Sequence, residues 1–211
     1  MEVEINATPA TINPFFSIWV RPKRTIRWIV ENQPEKYVMG LAGISGAYTT
    51  LENAGDRGIG DDWSLLAILV AAFLVGPIAG VIVLHVSGAL FRWSGRLFGG
   101  VADSRQVRAA LAWSALPEAL LLAIYLVVIL IWGRDWFASD FDMESQSLLL
   151  TTLFVLTAIV IGIWRTVLSV LTMAEVHRFS IWRSIATYVV GTLAFAIPAL
   201  ILFFVCAQLT R

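Results

Sequence analysis

The sequence predicts an all-α membrane protein, a polytopic bundle of five transmembrane helices with an N-terminal amphipathic helix in the membrane interface. Three observations predict it. Of the 211 residues, 58% are AVILMFWYC and 14% are charged, with a mean hydropathy of +0.79. An average soluble domain is about 25% charged. Four apolar runs are each long enough to cross a hydrocarbon core of about 30 Å as a helix. The basic residues also fall unequally on alternate sides of the proposed spans. A water-soluble globule of this size has too much surface to cover with so few polar residues. The composition therefore excludes an ordinary soluble enzyme, a nucleic-acid module and a disordered tail.

The N-terminal segment, 1–36, is polar and mixed, without the contiguous apolar stretch of a cleavable signal. Insertion is therefore expected from the internal spans. After Pro22, helical periodicity puts Ile26, Ile29 and Val30 on one face and Lys23, Arg24 and Arg27 mostly on the other. That pattern, with Phe15, Phe16, Trp19 and Trp28 nearby, predicts a helix lying among anionic headgroups. Pro34 ends it.

The membrane domain, 37–207, carries spans at about 37–54, 64–91, 109–132, 147–174 and 184–207. The first is the weakest by hydropathy, holding Ser45, Tyr48, Thr49, Thr50 and Glu52. Charge decides in its favour. With it, one side carries Arg21, Lys23, Arg24, Arg27, Lys36, Arg92, Arg96, Arg105, Arg108, Arg178 and Arg183, and the other only Arg57, Arg134 and Arg211. Without it the two sides are nearly balanced. The positive-inside rule selects the unequal arrangement, with a cytoplasmic N-terminus, an external C-terminus and a cell-membrane location. The external side also holds Asp56, Asp61, Asp62, Asp135, Asp140, Asp142 and Glu144.

Gly40, Gly43 and Gly46 bare one face of the first span, and Gly76 and Gly80 form a G-x-x-x-G in the second. Small residues let helix backbones approach closely in lipid, so these spans are expected to make a tight hairpin. Gly76-Pro77 is expected to kink the second span. Beyond it, Gly99-Gly100 supplies a helix stop, and Asp103 or Ser104 a cap for the next helix.

Three stretches resemble the bacterial Yip1-domain family. NPFFSIWVRPKRTIRWIVENQP is similar to its N-terminal signature. LFGGVADSRQVRAALAWSALPEAL resembles its Gly-Gly, basic helix and Ala-x-Pro entry to the third span. AEVHRFSIWRSIA resembles the short loop before its last span. The resemblance runs in order through nearly the whole chain and implies the same five-span fold. The eukaryotic branch is associated with Rab GTPases and vesicle traffic. Its Asp-Leu-Tyr-Gly-Pro stretch is missing, with Leu74-Val75-Gly76-Pro77 the nearest counterpart, so Rab recognition is not carried over.

Intramembrane ionisable residues are functional candidates by default. Glu118 and Arg165 lie at similar depth on sequential antiparallel spans, where an ion pair is reachable, and His85 lies in the same half. Two readings stand: a structural pair, or a polar cavity with a proton or solute path. Asp135, Asp140, Asp142 and Glu144 do not match a calcium loop, and Glu175 with His177 is too small a set for a metal. No metal, cofactor or nucleophilic motif is expected, and the lone Cys206 makes no internal disulfide.

The expected function is accordingly non-enzymatic. The chain reads as a scaffold or an assembly and trafficking partner acting through a cytoplasmic basic-aromatic face. That face comprises Trp19, Arg21, Arg24, Arg27, Trp28, Arg92, Arg96, Arg105, Arg108, Arg178 and Arg183. Its expected partners are anionic headgroups and another membrane protein, with a homo-oligomer allowed and no nucleic acid. The alternatives are a small-solute channel or transporter with a polar site at Glu118, Arg165 and His85, and, behind it, an intramembrane enzyme.

Overall fold

The computed structural model describes residues 13–142 and 147–209, with side chains described for all of these but 198–199 and 201–209. Glu144 and Arg211, two of the charges used above, lie outside the described residues, as does the side chain of Cys206. The architecture is helical in order: α1 (Pro14–Val20), α2 (Pro22–Asn32), α3 (Val38–Asp56), α4 (Leu65–Val70), α5 (Gly76–Leu97), α6 (Ser104–Ser114), α7 (Leu116–Trp132), α8 (Leu148–His177) and α9 (Ile181–Leu209). Among the described residues the only β-type pairing is an isolated bridge between Ile59 and Ala138.

Three continuous stretches are long and apolar enough to cross a membrane: Leu65–Leu97, Ser104–Trp132 and Leu148–His177. Their outward residues are bare hydrocarbon. Ile78 and Ile82 on α5, Leu130 on α7, and Val160 and Ile163 on α8 are all exposed. A belt of this kind suits lipid and not water.

The α3 helix has 19 residues, about 28 Å of rise. It is less apolar than those three and packs one face into the bundle, with Leu41, Ala47, Leu51 and Ala54 buried against its neighbours and Met39 and Ile44 exposed. Its contact with α5 is made backbone to backbone. A Cβ on Gly46 would strike the Gly76 carbonyl oxygen, and one on Gly80 would strike the Ala42 carbonyl oxygen. Gly43 meets the Pro77 ring. Gly40 does not belong to this face: nothing lies within 4 Å of where its Cβ would be. The expected hairpin is therefore built on Gly43, Gly46, Gly76 and Gly80.

The Pro77 kink takes a specific form. Residues Ala71–Val75 make a π-turn, and the Gly76 N–H reaches back five residues to the Ala71 carbonyl. The proline ring collides with the carbonyl four residues before it, here Phe73, and a widened turn moves that carbonyl aside. A second break divides the stretch Ser104–Trp132 at Ala115, where Pro117 opens α7.

At one end, the loop after α3 is knitted to the loop after α7. The Gly60 N–H donates to Phe137 O at 2.7 Å, and the Ser139 N–H donates to Asp61 Oδ1 at 3.1 Å. The Ser139 hydroxyl and amide together hold the exposed Asp61 carboxyl below the usual carboxylate range. At the other end, α1 and α2 fold back over α6 and α8. Ile18, Ile26 and Ile29 are buried there with Trp113, Leu168 and Met173. The amphipathic pattern expected of α2 is present, and its apolar face lies on protein. Ile26 and Ile29 are covered by protein, because α6 and α8 present enough apolar surface to seal them.

Candidate functional site

The basic residues are brought together by three separate connections. The α1–α2 pair supplies Trp19, Arg21, Arg24, Arg27 and Trp28. The ends of α5 and α6 on either side of their turn supply Arg92, Arg96, Arg105 and Arg108. There Gly99 adopts φ 81°, the left-handed stop that its residue type allows, and Asp103 caps α6. The cap is reciprocal: the Gln106 N–H donates to Asp103 Oδ1 at 2.8 Å, and the Asp103 N–H donates to Gln106 Oε1 at 3.0 Å. The turn between α8 and α9 supplies Arg178 and Arg183, and the Val101 N–H donates to the His177 carbonyl to lock the two turns together.

Arg21, Arg24, Arg27, Arg96, Arg105, Arg178 and Arg183 are exposed, whereas Trp19, Trp28, Arg92 and Arg108 are half-buried. Trp93 and Trp182 add two exposed indoles to the same end. Two of the arginines are engaged, which the sequence reading did not foresee. Arg27 Nε donates to Glu175 Oε1 at 2.7 Å, and Arg105 Nε lies 3.3 Å from Glu35 Oε1. The signal was present: both acids fall inside the basic segments. Around the first pair is a cavity of about 510 Å³ lined by Arg27, Glu31, Gln106, Glu175, Arg178 and Phe179, among others.

Sequence reasoning put His177 in the short loop of the basic-aromatic face and dismissed it as a metal ligand, without foreseeing its burial. Its ring is fully buried, stacked on Phe179 at 5.0 Å, and neither nitrogen has a hydrogen-bond partner. Gly95 and Gly100 make room for it, since a Cβ on either would run into the imidazole.

Deeper in the bundle, Arg165 Nε lies 2.7 Å from Glu118 Oε1. The pair is asymmetric. The Glu118 side chain is 4% exposed and that of Arg165 is 52% exposed. Ser45 of α3 faces the same carboxyl, yet Glu118 Oε2 makes no hydrogen bond. His85 does not join the pair. It is exposed on the outside of α5, and its Nδ1 lies 2.8 Å from the Val81 carbonyl of its own helix. A local i to i−4 bond satisfies it, so nothing draws it inward. Among the described residues no group of His, Cys, Asp and Glu could hold a metal.

The family model for the Yip1 domain matches residues 16–203, which takes in both the basic end and the Glu118–Arg165 level. This chain belongs to the Yip1 domain family. No curated protein and no solved structure matches it. The Yip1 match and the lipid-facing belt together make it a membrane protein, and the family is not one of known enzymes.

Proposed function

We propose that this Yip1-family chain is a non-enzymatic scaffold in the cell membrane, with five spans, its basic end in the cytoplasm and its C-terminus outside. The two spans this reading adds to the three long apolar stretches are α3 and α9, α3 being long enough to cross with one face packed on its neighbours. The scaffold organises another membrane protein, or a second copy of itself, on an anionic lipid surface. One observation carries this reading. Three chain segments distant in sequence converge to put exposed arginines and exposed Trp93 and Trp182 on a single end. Each basic residue near an anionic surface contributes about 1 kcal/mol, and Trp with Arg makes favoured interface anchors.

The engaged arginines, Arg27 and Arg105, are the wrong ones to probe. Arg24, Arg96, Arg178 and Arg183 are four of the five exposed arginines at this end outside those pairs, Arg21 being the other. Changing all four to Gln, in a protein whose insertion and unfolding temperature are unchanged, is expected to weaken binding to phosphatidylglycerol vesicles and to remove crosslinked neighbours in native membranes. If both the binding and the crosslinks persist unchanged, the scaffold reading fails.

A second reading, a solute path, rests on the bonding deficit at Glu118 Oε2. It predicts that Glu118→Gln alters solute or proton flux in proteoliposomes at unchanged protein content.

A further inference from the structure

The end of the bundle opposite the basic face holds a second cavity, of about 420 Å³, inside the ~300–1,000 Å³ range of small-molecule sites. Its walls are of two kinds. Tyr125, Trp136 and Phe141 supply aromatic rings, and Asp56 and Arg57, adjacent at the end of α3, supply one charge of each sign. The indole is braced, not loose. Trp132 stacks on it at 6.0 Å, while Tyr125, Phe141 and Phe154 meet it edge-on at 5.7, 5.4 and 5.5 Å. Trp136 Nε1 is buried beside the Tyr125 hydroxyl. Gly55 keeps the space open. A Cβ there would reach ordinary contact with Trp136 Nε1 at 3.9 Å and the Tyr125 hydroxyl at 4.0 Å.

We propose that this cavity binds a phosphoammonium group, the zwitterion of phosphocholine or phosphoethanolamine. Aromatic faces beside a carboxylate are the chemistry that attracts an alkylammonium. A guanidinium one residue away suits the attached phosphate. A plain anion would meet Asp56 and the negative faces of the rings, and a plain cation would meet Arg57. The proposal is independent of the scaffold reading, because it concerns the opposite end of the molecule.

The test uses the full chain in a maltoside detergent, titrated with phosphocholine, tetramethylammonium and glycerol 3-phosphate while indole fluorescence is followed. Phosphocholine is expected to bind most tightly, tetramethylammonium more weakly and glycerol 3-phosphate weakest. Gly55→Leu fills the space without removing a ring, and Asp56→Asn removes the carboxylate. Each is expected to weaken phosphocholine about tenfold. Nanodiscs distinguish the two sources of the group. If phosphatidylcholine in the disc blocks added phosphocholine, a lipid headgroup occupies the site. If it does not, the ligand is a free solute. Equal affinity for glycerol 3-phosphate, or an unchanged affinity in both variants, overturns the proposal, as does the absence of binding in detergent and discs alike.

Discussion

Glu118 and Arg165 divide the work of one ion pair unevenly. The carboxyl is sealed in the bundle while half of the guanidinium side chain reaches the outer surface. Long basic side chains can snorkel in this way, so the pair leaves only the acid dependent on its partner. Arg165→Gln, which strands the buried Glu118 carboxylate, is expected to destabilise the protein by about 3 kcal/mol, and Glu118→Gln by less, because Arg165 is half-exposed. Adding Glu118→Gln to Arg165→Gln should recover part of the loss. Purely additive losses in thermal unfolding of the four proteins would mean no coupling. His177 offers a steric counterpart. Gly95→Ala drives a methyl into the imidazole and should cost about 1–3 kcal/mol. Placing His177→Ala behind it should make the same Gly95→Ala change nearly harmless, measured by the same unfolding assay.

At the scale of elements, the α3–α5 contact depends on the missing Cβ atoms. Gly46→Ala or Gly80→Ala puts a methyl on backbone, which cannot give way, and should lower the unfolding temperature and protease resistance in detergent. Gly40→Ala, facing open space on the same helix, is expected to be neutral or to stabilise by about 0.5–1 kcal/mol through helix propensity alone. A loss at Gly40 as large as at Gly46 would refute the register. The capping box of α6 is a smaller device. Asp103→Ala should cost about 1 kcal/mol and loosen amide protection over the first turn of that helix.

At the scale of the molecule, the arrangement separates charge. One end gathers the arginines of three connections, and the other gathers Asp56, Asp61 and Asp135 around knitted loops. For the five-span arrangement, reporter fusions after Arg57 and after Arg211 should both report outside. A cytoplasmic signal after Arg57 would leave α3 uncrossed.

The sequence by itself determined the helical membrane class, the positions of the long apolar runs, a stop at Gly99-Gly100 and a cap at Asp103 or Ser104. Each follows from composition, length or a residue's own backbone preference, and none needs a partner in space. It also brought Glu118 and Arg165 to one level, because helical rise converts spacing into depth. Only the tertiary structure decided that Ile26 and Ile29 of α2 are covered by α6 and α8, since periodicity reveals an apolar face and not what covers it. It sent His85 outward and left Gly40 without a neighbour, because rotation about a helix axis is set by packing. Arg27 with Glu175 is the clearest case. The two are 148 positions apart, and their contact exists only because α2 lies across the end of α8.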